Sequence, residues 1–168
     1  PNAKLPFDQA GKSYYNKTAL AVFRLSSKSH WDIPIIAGDQ KIHFLACHPT
    51  PPVFDGPEDR NGKRNHDEIR FFSDYIDAQR SDYIRDDQGR SGGLKAGSRF
   101  VIAGDLNADP NDGDSHENAA TQLLTHPLIR SKPVPSSLGA IAFAKQLATA
   151  QHRGNPAYDT GDFNDRRM

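Results

Sequence analysis

The stretch Asn65–Arg80 constrains this chain most, because it sets one helix between two apolar runs of strand length. Asn65 stands three residues before Glu68, the spacing of a capping box with Asn as the cap. Ile69, Phe72 and Ile76 recur at i, i+3 and i+7, with Phe71 and Tyr75 beside them. One face is therefore apolar, which predicts an amphipathic helix from about His66 to Arg80. Before it, Ile42, Phe44 and Cys47 lie in Lys41–Cys47, a partly alternating run that predicts a strand. After it, Phe100-Val-Ile-Ala103 is a short apolar run bounded by Gly104, the pattern of a buried strand. Strands and helix together make the class α/β.

The remaining segments read less sharply. Leu20, Ala21, Val22, Phe23 and Leu25 form another run of strand length, broken by the polar stretch Ser26–His30. Trp31–Ala37 predicts a second strand, closed by the turn signal Gly38-Asp39-Gln40. Residues 49–64 hold Pro49, Pro51, Pro52, Pro57, Gly56 and Gly62, so they predict a long loop. A loop of that length inside a compact domain is usually functional or disordered. Ser81–Gly97 reads as an exposed connection, His116–Leu124 as a helix stopping before Pro127, and Ile141–Ala150 as a further helix. The tail Asp159–Met168 is polar and adds no closing element.

Composition excludes several classes. At 168 residues the chain suits one domain or a piece of one. Lys and Arg number 21, as do Asp and Glu, so the zero formal charge argues against bulk polyanion binding. A mean hydropathy of -0.72 is polar for a globular domain and fits long loops. The single cysteine, Cys47, rules out an internal disulfide framework; in a strand it reads as buried and inert. No apolar run approaches the ~18 residues of a membrane span. The opening residues Pro1–Phe7 carry neither a signal-peptide pattern nor an initiator Met. The chain accordingly reads as starting inside a longer protein.

Chemistry concentrates where strands end. The run Phe100–Ala103 leads straight into Gly104-Asp105-Leu106-Asn107. If extended geometry persists, Asp105 and Asn107 project to one side. An acid and an amide so placed can bind a hard cation, orient a water or hold a phosphoryl oxygen. The plainer alternative is a strand-terminating Asx turn. Phe44-Leu-Ala-Cys47 repeats the arrangement with His48, followed by the long loop, and strand ends with long loops are where sites usually sit. In that loop, Arg60, Asn61, Lys63, Arg64 and Asn65 can form a phosphate clamp, with Asn65 opening a helix whose N-terminus attracts anions. The alternative is a solvated charged loop balanced by Asp55, Glu58 and Asp59. Asp109–Ser115 is oxygen-rich, but a turn with Ser115 as helix cap explains it better than a calcium loop. His66, His116 and His126 read as surface residues, and Trp31 as a packing residue.

These residues carry a resemblance. Gly104-Asp105-Leu106-Asn107 after an apolar strand is similar to the Asp/Asn motif of the endonuclease/exonuclease/phosphatase superfamily, with its deoxyribonuclease I-like fold. His48 after Phe44-Leu-Ala-Cys47 resembles that superfamily's strand-end histidine. The string His48–Asn65, with Leu25–Asp32 and His152–Asp159, resembles a bacterial and often exported subgroup. The resemblance implies a two-sheet β-sandwich flanked by helices. It makes residues 1–168 the central and C-terminal portion of one domain. The superfamily's metal-binding Glu motif and its closing Asp-His pair have no counterpart here.

The resemblance also assigns roles. Asp105 would position or deprotonate the attacking water, Asn107 would hold Asp105 and a phosphate oxygen, and His48 would bond the scissile phosphate. Asp105 and Asn107 would share in holding Mg²⁺, or Mn²⁺ or Ca²⁺; Arg60, Asn61, Arg64 and Asn65 would bind substrate. The implied activity is metal-dependent hydrolysis of a phosphomonoester or phosphodiester by the parent protein, with the 168-residue piece inactive or nearly so, and either self-associating through its uncovered sheet or forming only the ordered part of a larger chain. The rival expectation is a degenerate, non-catalytic binding module of the same fold. A phosphoester is the expected partner, and the balanced charge weighs against long nucleic acid. The exported subgroup implies an extracytoplasmic site, secreted or periplasmic.

Overall fold

The computed structural model describes residues 3–147 and 153–161. In chain order it contains α1 (Lys17–Val22), β1 (His30–Ala37), β2 (Gln40–Cys47), α2 (Arg60–Tyr75), β3 (Arg99–Gly104), α3 (Thr121–Leu124) and α4 (Leu138–Leu147). Short 3₁₀ turns lie at His116–Asn118 and Pro156–Tyr158.

The sheet has three strands in the order β1-β2-β3. β1 and β2 form an antiparallel hairpin whose register runs from His30 opposite Cys47 to Ala37 opposite Gln40. β2 and β3 are parallel, from Ile42 opposite Arg99 to Cys47 opposite Gly104. Parallel neighbours need a crossover, and α2 lies within the one used here. Both strands therefore finish at the same edge.

Side chains alternate across a strand, so one sheet face carries Leu45, Cys47, Phe100 and Ile102. That face meets the apolar stripe of α2. Leu45, Cys47, Ile69, Phe72, Ile76, Leu94, Ala119 and Leu123 make the core, with Phe100, Ile102 and Leu106 packed against it. The expected periodicity thus sets the core. The opposite face carries Trp31, Ile33 and Ile35 from β1 and Val101 from β3, all exposed. Trp31 is 57% exposed rather than packed. Among the described residues there is one sheet, and the second sheet expected of a sandwich is not among them.

Several boundaries differ from expectation. The run 20–25 is not a strand: its first half closes α1, because Asn16 Oδ1 accepts the Ala19 N–H at 2.8 Å and caps a helix. α2 begins at Arg60, not His66, so the predicted loop is shorter and Asn65 is no cap. The residue at the cap position is Asp59, whose φ of 51° lets the proline-rich loop turn abruptly into the helix. α2 stops at Tyr75, and Asp77 then forms a turn by accepting the Gln79 N–H at 2.9 Å. The connection 81–97 is not wholly exposed, since Ser81, Ile84 and Leu94 are buried. Residues 116–124 do not form one helix, because Glu117 and Asn118 take φ of 46° and 53° and break it. His66 and His126 are buried rather than superficial. The final helix starts at Leu138; the expectations for 148–150, His152 and 162–168 lie outside the described residues. Among the described residues no helix is long and apolar enough to cross a membrane.

Candidate active site

The parallel pairing of β2 and β3 delivers His48 and Asp105 side by side. Cys47 is opposite Gly104, so the next residue of each strand emerges at one edge. His48 Nε2 and Asp105 Oδ2 are 3.8 Å apart, with side chains 49% and 50% exposed. In sheets of this kind, ligands bind in the crevice beyond the carboxyl ends of strands. The two strand-end groups converge and face solvent.

Gly104 permits the approach. Its φ is 147°, and a Cβ there would stand 1.8 Å from the Cys47 carbonyl oxygen. Any side chain would push β3 away from β2 at the point where the site begins.

The extended geometry does not persist past Gly104. Asp105 Oδ1 accepts the Asn107 N–H at 3.0 Å, closing an Asx turn, and Asn107 takes φ of 48°. Turn and site are compatible, because the turn uses Oδ1 while Oδ2 is the oxygen nearest His48. Asn107 thus holds Asp105 through its main-chain N–H, not its side chain. Its Nδ2 instead donates to the Pro49 carbonyl at 3.0 Å, tying the Asp105 turn to the residue after His48.

The other expected site residues are engaged with the chain itself. Arg60 is paired with Glu58, donates to the Phe54 carbonyl at 3.2 Å and lies over the Tyr14 ring. Asn61 Nδ2 donates to the Val53 carbonyl at 2.7 Å. Lys63 Nζ donates to the Glu58 carbonyl at 2.6 Å. Arg64 donates to the carbonyls of Leu25 at 3.0 Å and Arg24 at 2.9 Å, with its guanidinium 4.6 Å from the Phe23 ring centroid. A phosphate reaching Arg60 or Arg64 would compete with these contacts. Asn65 is fully buried, and its Nδ2 donates to the carbonyls of Thr50 at 2.8 Å and Leu106 at 2.9 Å.

Glu68 does more than its capping-box spacing from Asn65 suggests. It is fully buried, and its carboxylate accepts the N–H of Ser27 at 2.5 Å and of Thr50 at 2.5 Å. Its place in the pattern was a usable signal: Asn65 and Glu68 continue the buried stripe of Ile69, Phe72 and Ile76 toward the site, but in polar residues.

Burial governs the nearby titratable groups. Desolvation pushes the Cys47 thiol up to about 12, which keeps it protonated and unreactive. Desolvation also holds His30 below its ordinary value, outweighing the hydrogen bond that its Nε2 donates to the Glu68 carbonyl at 2.9 Å.

Asp105 brings one carboxylate and Asn107 one amide to the edge, and Mg²⁺ demands more oxygen ligands than this. Among the described residues no group of three or more His, Cys, Asp or Glu side chains could hold a metal ion. The donor set here does not by itself fit a divalent-metal shell. The Asp109 segment is a turn: Asp109 Oδ1 accepts the N–H of Asn111 at 2.6 Å and of Asp112 at 2.8 Å.

The sequence model of the Endonuclease/Exonuclease/phosphatase family matches residues 10–168. No curated relative and no solved structure matches the chain.

Proposed function

This chain belongs to the Endonuclease/Exonuclease/phosphatase family, and from that premise we propose that its parent protein hydrolyses phosphoesters at the edge where β2 and β3 end. The carrying observation is the 3.8 Å separation of His48 Nε2 and Asp105 Oδ2 on adjacent parallel strands. Family membership supports a hydrolase of the nuclease or phosphatase kind.

Asp105 orients a water through Oδ2 and takes its proton as the water oxygen bonds to phosphorus. His48 donates from Nε2 to a non-bridging phosphate oxygen and shares its developing charge. The P–O bond to the leaving group breaks opposite the incoming oxygen, and the departing oxygen takes up a proton from solvent. Asn107 keeps Asp105 aimed through its main-chain N–H.

The family is in general divalent-metal dependent. A bound Mg²⁺ would take Asp105 as one of its ligands and would supply positive charge to the phosphoryl oxygens. A second sheet would cover Trp31, Ile33, Ile35 and Val101, completing the sandwich. The substrate is a phosphoester, with long nucleic acid disfavoured by the balanced charge. The likeness of His48–Asn65 to an exported subgroup supports placing the protein outside the cytoplasm.

The rival reading, a non-catalytic binding module, draws on the sparse donor set at the edge. One experiment separates the two. The product of the whole reading frame is assayed with bis(p-nitrophenyl) phosphate and p-nitrophenyl phosphate, with Mg²⁺ and with EDTA. Release of nitrophenol above buffer supports the hydrolase; binding of phosphoester without release supports the module.

A further inference from the structure

We propose that Asn65 and Glu68 are positioning residues that set the separation of His48 and Asp105. The proposal rests on the hydrolytic reading of that pair.

The two side chains stand one helical turn apart on α2 and both are fully buried. Between them they grip Thr50 at both ends. Glu68 Oε2 accepts the Thr50 N–H at 2.5 Å, and Asn65 Nδ2 donates to the Thr50 carbonyl at 2.8 Å. Thr50 is two residues beyond His48. The same Asn65 nitrogen reaches the other chain end, donating to the carbonyls of Leu106 at 2.9 Å and Asn107 at 3.3 Å. One amide thus links the segment after His48 to the segment after Asp105. The link is reinforced where Asn107 Nδ2 donates to the Pro49 carbonyl.

The chemistry of each group suits the task. Only a donor can face these carbonyls, which fixes the orientation of the Asn65 amide. Its Oδ1 is buried with no hydrogen-bond partner among the described residues, so its nitrogen carries the contacts. Glu68 accepts two main-chain N–H groups, one from Thr50 and one from Ser27, and such charge-assisted bonds are the strong ones. Apolar side chains at 65 and 68 would extend the stripe of Ile69 and Phe72 without burying polar atoms. The polar pair occurs where the helix reaches the two chain ends.

The test uses the near-isosteric variants Asn65→Asp and Glu68→Gln in the complete protein. Asp puts an acceptor against carbonyls, and Gln offers one acceptor where the carboxylate offered two. Each folded variant is expected to lower kcat on bis(p-nitrophenyl) phosphate with Mg²⁺ by about 30-fold or more, with KM changed less than about twofold. Amide exchange at Thr50 is expected to quicken by about tenfold or more in Glu68→Gln, while Asp105→Asn lowers kcat at least about a hundredfold and leaves that exchange unchanged. Folded variants with kcat near wild type, or a Thr50 amide as protected in Glu68→Gln as in wild type, would overturn the proposal. If Asn65→Asp does not fold, Glu68→Gln decides alone. If the wild type cleaves no phosphoester, the hydrolytic reading fails, and exchange at Thr50 with the His48–Asp105 separation in crystals of Glu68→Gln still decides whether the pair positions these ends.

Discussion

His48 Nε2 lies 3.8 Å from Asp105 Oδ2, although a loop, the 16-residue helix α2 and a second connection separate them in sequence. The cause is register. Parallel pairing sets Cys47 opposite Gly104, and each strand releases one polar residue at the shared edge. Three neighbours bear on that juxtaposition: Gly104 allows the strands to close, the Asx turn holds Asp105 Oδ1, and Asn65 of α2 bonds to the carbonyls of Thr50 and Leu106 beyond the two strand ends.

Gly104→Ala should be disproportionately harmful for so small a change. The added Cβ would stand 1.8 Å from the Cys47 carbonyl oxygen, at a φ of 147° that side chains rarely adopt. A loss of about 2 kcal/mol or more is expected from strain and separation of the strands. Urea denaturation of the variant checks this, and wild-type stability would mean that the edge is looser than described.

Cys47 should be unreactive in the folded protein. Burial lifts its thiol from an ordinary 9.0 to about 12, so at pH 8 thiolate is scarce and access is closed. Reaction with a thiol-specific reagent should track unfolding. The sign of the pH effect follows: the unfolded chain loses this proton first, so stability is full below pH 9.0 and falls as pH rises toward about 12. Cys47→Ala should flatten the start of that decline. Tyr83, pushed up to about 12 chiefly by burial, contributes from pH 10.0 onward.

Acid should destabilise the protein through His30. Desolvation holds its folded value below the ordinary 6.5, so the unfolded chain binds its proton more readily. Stability is therefore full above pH 6.5 and is lost as pH falls below it, down to the lowered folded value. His30→Gln should reduce the slope of melting temperature against pH below 6.5. A residual slope is expected from His126, lowered first by burial and then by Arg80. An unchanged slope in His30→Gln would show that its ring is not held neutral.

How much of this was legible in the sequence depends on the kind of signal. Ile69, Phe72 and Ile76 announced the helix and its buried face because apolar period is a local property. His48 and Asp105 were legible as strand-end residues for the same reason. The start of α2 was not, because Gly62 and the charged residues of its first turns look like loop and Asp59 enters through a left-handed turn. The roles of Arg64, Asn65 and Glu68 were hidden too. Their partners are main-chain groups of residues far away in sequence, and no side-chain pattern records where a carbonyl will lie.

The isolated 168-residue chain should self-associate as its concentration rises. Trp31, Ile33, Ile35 and Val101 present apolar surface on the sheet face opposite α2, and both outer strands have edges that can pair. Sedimentation velocity across a concentration series checks this, with Ile33→Lys and Ile35→Lys together expected to restore a monomer. Monomeric behaviour at every concentration would mean that this face is covered within the chain.

The role of the Asp105 carboxylate is tested most directly by the turnover of Asp105→Asn in the complete protein, with bis(p-nitrophenyl) phosphate and Mg²⁺. The amide keeps the shape of the side chain, and its oxygen can still accept the Asn107 N–H, but charge and basicity are gone. The variant should fold, with its transition-state stabilisation reduced by about 3 kcal/mol or more, so that kcat drops at least about a hundredfold. Turnover equal to wild type would contradict that role, because the water would then be activated by something other than the carboxylate beside His48.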